Sequence, residues 1–314
     1  MSNILVIVEG NVTEPKYLRQ FQEFHRELFS EKGNQSTPII IQSYGTLIYD
    51  LYKELNLEGI DSEEFETIPV LIEILRNKNR EVNPILIENQ DSFSDIYLIF
   101  DLDAHYYHNW SDRTNQVESK ISEMLSFFNE STDKGKLLIS YPMIEAIRCF
   151  HDSYIKLNQS KIIIQSFPIY EMKESRRSQT TFKSLVSRFT PEESEYLKPD
   201  YDFIKVVQLI NYFRVVCIFL KLSSADSINS EMIFNQQLEQ YIKPFDRIIV
   251  LSALPQFMLD LFGEKRIAEV AGKNFMRFSK YDSYDFTLKH LSIDGLKVGS
   301  SPNPDDGSNL QINL

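Results

Sequence analysis

The chain opens on Ile4-Leu5-Val6-Ile7-Val8, an unbroken apolar run of strand length and rich in β-branched residues. Runs without polar alternation suit a strand buried on both faces, as in a parallel sheet. A turn, Glu9-Gly10-Asn11, ends the run. Thr13 then reads as a helix N-cap with Glu14 and Pro15 in the first turn, where an acid and a proline are both favoured. Tyr17, Leu18, Phe21, Phe24 and Leu28 continue at helical spacing. The same unit recurs, with a strand over Pro38 to Gln42, a turn at Gly45-Thr46 and a helix over Leu47 to Leu55. The segment Asp61 to Arg80 is acidic and then helical, and Asn83 to Ser94 reads as a connecting loop. Ile96 to Phe100 is a further buried strand, ending at Asp101-Leu102-Asp103. After a polar aromatic loop, Ala104 to Trp110, comes a helix carrying Val117, Ile121, Met124, Leu125 and Phe128. Lys136 to Ser140 is a short strand, and Tyr141-Pro142 leads into a helix bearing Glu145. Strands alternating with helices predict an α/β domain with a parallel sheet over residues 1–155.

Beyond residue 155 long helical periodicities dominate, at Thr180 to Arg188, Phe203 to Leu222, Ser230 to Ile242 and Ile248 to Phe262. The expected second unit, 156–294, is a mainly helical accessory domain. The tail 295–314 is rich in Gly, Pro, Ser and Asp and is expected to be flexible. Phe203 to Leu222 is the nearest thing to a membrane span, but Lys205, Gln208, Asn211, Arg214 and Lys221 interrupt it. A buried helix of a soluble protein is expected there, with no membrane partner. Met1-Ser2-Asn3 lacks the basic flank of a signal peptide, so the reading is cytoplasmic.

Composition adds limits rather than chemistry. A length of 314 residues with 42% hydrophobic content provides for about two domains. The formal net charge of −12 argues against tight, sequence-independent duplex binding, which wants Lys and Arg. It does not argue against a metal site, because a bound dication inverts the field of an acidic pocket. Cys149 and Cys217, the only cysteines, lie in apolar runs with no metal or disulfide spacing.

In an open parallel sheet, functional groups gather beyond the carboxyl ends of the strands. Glu9 follows the first strand, Asp101 and Asp103 follow a central one, and Ser140 and Glu145 lie at and past another. Residues two apart in extended chain point to one side, so Asp101 and Asp103 can share a metal or hold adjacent ones. Hard oxygen ligands suit Mg²⁺ or Mn²⁺. Two such ions about 4 Å apart stabilise both oxygens of a phosphodiester displacement. Solvated loops also carry acids, and Glu14 has a sufficient role at the helix start. His105 and His108 fit loop packing or substrate contact as well as a metal. Lys173, Arg176, Arg177, Lys183 and Arg188 form the densest basic stretch, equally suited to gripping nucleic-acid phosphates and to a solvated helix face. No phosphate loop of the Walker type and no Ser-His-Asp set is visible.

Ile4 to Glu9-Gly10, followed by Thr13-Glu14 and Tyr17-Leu18, resembles the opening motif of Toprim domains, in the form carried by RloB-like and OLD-like nucleases of bacterial anti-phage defence. Ile99-Phe100-Asp101-Leu102-Asp103 is similar to the second Toprim motif. Gly135 to Ala146 falls where the RloB-like proteins carry a small-residue, Pro and Glu element, with Tyr141-Pro142 standing for the family's Asn-Pro. The resemblance covers roughly residues 1–155. It implies a Rossmann-like Toprim fold and a Mg²⁺- or Mn²⁺-dependent nuclease acting on DNA or RNA, with a regulatory partner protein as a further expectation. Glu9 would be general acid/base or second-metal ligand, Asp101 and Asp103 metal ligands, and Glu145 a further ligand. The long separation of Glu9 from Asp101 implies helices inserted around 57–90. Two other readings stand beside it. Phe100-Asp101-Leu102-Asp103 also resembles the nucleophile motif of HAD phosphatases, though Ala104-His105 replaces that family's Gly-Thr. A non-catalytic sensor or partner subunit on a Toprim scaffold is the third.

Overall fold

A computed structural model describes residues 2–30, 37–55, 65–88, 92–102, 114–151, 154–156, 161–169, 182–189, 203–222, 228–276 and 285–291. The first sheet is built from β1 (Asn3–Val8), β2 (Ile39–Ser43), β3 (Phe93–Asp101), β4 (Asn129–Glu130) and β5 (Gly135–Ser140), in the order β2-β1-β3-β5-β4. The β1–β2, β1–β3 and β3–β5 pairings are parallel, and only the short β4 is antiparallel. Apolar runs without alternation therefore mark what they should: Leu5, Val6, Val8, Phe100, Leu137 and Leu138 are fully buried.

Helices α1 (Thr13–Ser30), α2 (Ile48–Leu55), α3 (Thr67–Asn77), α4 (Pro84–Glu88) and α5 (Thr114–Phe127) fill the connections. The helices α3 and α4 lie in the stretch where the long Glu9–Asp101 separation called for insertions. Chain order runs from β1 to β2 on one side, whereas β3 lies on the other side of β1. Strand order thus reverses between β1 and β3, the place where an open sheet leaves a crevice beyond its carboxyl ends.

Residues after 155 add strands to the helices expected there. They contain helices α6 (Phe182–Val186), α7 (Phe203–Phe219), α8 (Ser230–Gln237), α9 (Ala253–Phe262) and α10 (Glu264–Ala271). They also contribute a second, four-stranded sheet of β6 (Ile155–Lys156), β7 (Lys161–Pro168), β8 (Arg247–Ile249) and β9 (Asp285–His290). The stretch Ile248 to Phe262, expected as one helix, is a strand followed by a helix, because Ser252 breaks the run by accepting a bond from the Leu254 N–H as N-cap. Short apolar strands carry no helical signature and are easily absorbed into a neighbouring one.

The chain is an α/β protein with a mostly parallel five-stranded sheet, a second small sheet and helices. One continuous core crosses residue 155. Tyr141 and Leu251 exchange two backbone hydrogen bonds, at 2.7 and 2.8 Å, joining the end of β5 to the strand edge after β8. Helix α9 lies over β3 and β5, where Phe257 meets Tyr97 edge-on at 4.9 Å and Asp260 accepts from Tyr97 at 2.9 Å and pairs with Lys136. Helix α7 is buried along most of its length, and two of its polar residues, Asn211 and Arg214, are bonded to α10 and the chain after it. The Asn211 amide bonds Asn274 O and Met276 N, and Arg214 reaches Met276 O and Glu264. No helix among the described residues is long and apolar enough to cross a membrane.

Candidate active site at the carboxyl edge of the parallel sheet

Register puts Val8 beside Ile99 and Asp101 beside Ser140, so the residues that follow β1 and β5 flank the end of β3. The backbone past β1 is fixed by two bonds of 2.7 Å, from Tyr44 N to Val8 O and from Gly45 N to Glu9 O. From there the Glu9 carboxylate reaches across the sheet edge and accepts a 3.2 Å hydrogen bond from the Asp101 backbone N–H, 92 residues away in sequence. Asp101 in turn accepts from the Ile144 N–H at 2.7 Å, which ties the end of β3 to the 3₁₀ turn Ile144–Cys149.

Two more acids join this field. Glu14, only 6% exposed, turns back from the first turn of α1 and accepts from Gly10 N at 3.1 Å. A Cβ on Gly10 would sit 2.4 Å from a Glu14 carboxylate oxygen, so glycine is what lets that carboxylate pack against the turn. Glu145, 3% exposed in the 3₁₀ turn, is paired with Lys183 of α6 at 3.0 Å.

The electrostatics follow from this crowding. Burial raises the Asp101 carboxyl well above its ordinary value; Glu9, Glu14 and Glu145 raise it further, and the Ile144 N–H opposes them. Glu14 is raised chiefly by burial, against the Gly10 hydrogen bond. Lys183 is raised by its hydrogen bond to Glu145 and by the fields of Glu145, Glu14 and Asp101. Four carboxyl groups thus crowd one sheet edge, with Lys183 paired to Glu145.

Of the acids singled out from the sequence, Glu9, Asp101 and Glu145 converge here. Asp103, His105 and His108 lie outside the described residues, as do Lys173, Arg176 and Arg177. Lys183, part of the basic stretch equally suited to phosphates and to a solvated helix face, pairs with Glu145. Ser140 is fully buried, accepting from Ala253 N through its hydroxyl at 3.2 Å and from Leu102 N through its carbonyl at 2.9 Å; both are structural bonds. Glu14 belongs to the site more closely than its helix-start role required. The signal available for it was its position four residues after the glycine that it bonds.

Among the described residues, no group of three or more His, Cys, Asp or Glu side chains is arranged to hold a metal by itself. Mg²⁺ does not need one: it keeps several waters and takes one or two protein carboxylates. Glu9 and Asp101 provide hard oxygens at one sheet edge, in a field whose mutual repulsion a dication would relieve. The donor chemistry fits that ion.

Comparison with family models, curated proteins and solved structures gives no match for this chain.

Proposed function

We propose that this protein is a Mg²⁺- or Mn²⁺-dependent nuclease of Toprim type, hydrolysing phosphodiester bonds of DNA or RNA, with a role in anti-phage defence implied by its RloB-like opening motif. The observation that carries the reading is the meeting of Glu9 with Asp101 at the point where strand order reverses. Burying acids together is costly unless a cation or a proton compensates. Such a cluster at this edge of a parallel sheet is economically explained as a cation site.

Asp101 and, two positions on, Asp103 would hold the ion, with Glu9 beside them. When bound, the ion supplies Lewis-acid polarisation of the phosphoryl oxygens. Hydrolysis adds water to phosphorus and breaks one P–O ester bond. The Glu9 carboxylate takes the proton from the attacking water and returns it to the departing oxygen. Glu14 and Glu145, held by Gly10 and Lys183, shape the negative field around Asp101 without needing to touch the substrate.

The test combines metal uptake with cleavage. Asp101→Asn retains an acceptor for the Ile144 N–H and should fold, yet lose Mn²⁺ uptake by calorimetry and at least about 100-fold of metal-dependent cleavage. Wild-type cleavage by that variant would falsify the assignment. Turnover of a small phosphoester with a trapped aspartyl-phosphate would instead favour the phosphatase reading.

A further inference from the structure

A polar cleft of about 720 Å³ opens beside the acidic cluster, lined by Asn11, Arg19, Gln42, Ser43, Arg80 and Asn83 among others. Its place in the fold connects it to the chemistry. Asn11 is two residues past Glu9, Gln42 and Ser43 end β2, and Gly45 is bonded to the Glu9 carbonyl. The cleft therefore lies at the carboxyl end of β2, against the turn that follows β1 and carries on from Glu9.

Its wall is constructed with care for one cation. The Arg80 guanidinium donates to Tyr44 O and crosses the backbone at Gly45, which has a φ of +80°. A Cβ on Gly45 would lie 1.7 Å from an Arg80 nitrogen, so only glycine admits the guanidinium there. The loop bearing Arg80 is latched to the sheet by Gln42, whose amide donates to Glu81 O at 3.1 Å and accepts from Asn83 N at 2.8 Å. Arg19 comes from the exposed side of α1 and supplies a second guanidinium. Glu81 also lines the cleft, leaving a net positive lining on a chain of formal charge −12.

We infer that this cleft is the substrate-strand subsite of the proposed nuclease, in which Arg19 and Arg80 grip phosphates of a single-stranded nucleic acid whose scissile phosphate lies at Glu9 and Asp101. The inference rests on the nuclease reading. Guanidinium forks match phosphate oxygens in pairs, which suits isolated arginines to a backbone threaded past them. The volume lies in the range of small-molecule sites, roughly 300–1,000 Å³, so it admits a nucleotide or two rather than a duplex. A duplex would also want a broad basic face.

The test is fluorescence anisotropy with a labelled single strand of about ten nucleotides, oligo(dT) and oligo(U) in turn, in EDTA so that binding is read without cleavage. Arg19→Glu should weaken binding about 5–10-fold and lower the salt slope by about one, while Arg19→Lys restores most of it. Mn²⁺ uptake should be unchanged in both. Equal affinity for wild type and Arg19→Glu overturns the inference, as does wild type binding neither strand. Capture of a free mononucleotide but not of the strand overturns it too. Asp101→Asn separates the two readings: it should bind the strand normally while losing Mn²⁺. If Asp101→Asn takes up Mn²⁺ like wild type, the nuclease reading fails, and the Arg19 variants still decide the cleft.

Discussion

At the scale of single residues, the site is a problem of crowded carboxyl groups. Asp101 has a carboxyl raised by burial and by three neighbouring acids, so the metal-free folded state holds its proton more tightly than the unfolded chain does. The sign follows from linkage: as pH rises above the ordinary Asp value of about 3.9, the unfolded state releases that proton first and stability falls. Asp101→Asn removes the repulsion and keeps the bond from Ile144. In EDTA at neutral pH it should raise the melting temperature by on the order of 2 °C, measured by scanning calorimetry. A lower melting temperature would mean that the aspartate is a net stabiliser and the crowding argument is mistaken. Lys183 gives the complementary case. Its removal in Lys183→Met leaves Glu145 buried without its cation. Because the Lys183 side chain is 60% exposed, the expected loss is discounted to about 1 kcal/mol in a urea titration. The double variant Lys183→Met/Glu145→Gln should recover most of it, since no charge is then stranded.

At the scale of elements, side-chain amides do work that strands do elsewhere. Gln237, fully buried at the end of α8, accepts from Ile249 N and donates to Ile249 O, both at 2.8 Å. It satisfies both backbone groups of a β8 residue, as a neighbouring strand would. Gln237→Leu keeps the bulk but orphans that pair inside the protein. The expected cost is about 2–3 kcal/mol, read as a shift in the urea midpoint with unchanged slope. Asp260 works through its carboxylate and side-chain partners instead, fastening α9 to Tyr97 of β3 and Lys136 of β5. The Lys136 side chain is only 12% exposed, so Asp260→Ala strands a largely buried cation. That variant should destabilise the protein by about 2–3 kcal/mol without altering Mn²⁺ uptake, because the contact lies away from the acidic edge.

At the scale of the whole molecule, the acidic edge depends on chain from both halves. The 3₁₀ turn that fixes Asp101 packs against α6, and β3 and β5 are covered by α9. A fragment ending at residue 155 lacks α6 and α9 and exposes the face of Tyr97 that Phe257 of α9 covers. It should bind a hydrophobic dye or aggregate, whereas the full chain does not. A fragment giving a cooperative melt like that of the full chain would show that the first sheet stands alone.

Much of this was legible along the chain. Unbroken apolar runs located β1, β3 and β5, and helical spacing located α1, α2, α3 and α5. Acids placed just past strands pointed to Glu9 and Asp101, because in a parallel sheet strand ends share an edge whatever their separation in sequence. Local pattern could not show the second sheet, whose strands are short and whose pairings join residues far apart. Nor could it show that Lys183 meets Glu145, that Gly45 makes room for Arg80, or that Glu14 turns back onto Gly10. Hydrophobic periodicity records which side of an element is buried, and that is a property of the neighbouring few residues. Which charges become partners, and which cleft they line, depends on how separate elements are brought together, and only the packed chain decides it.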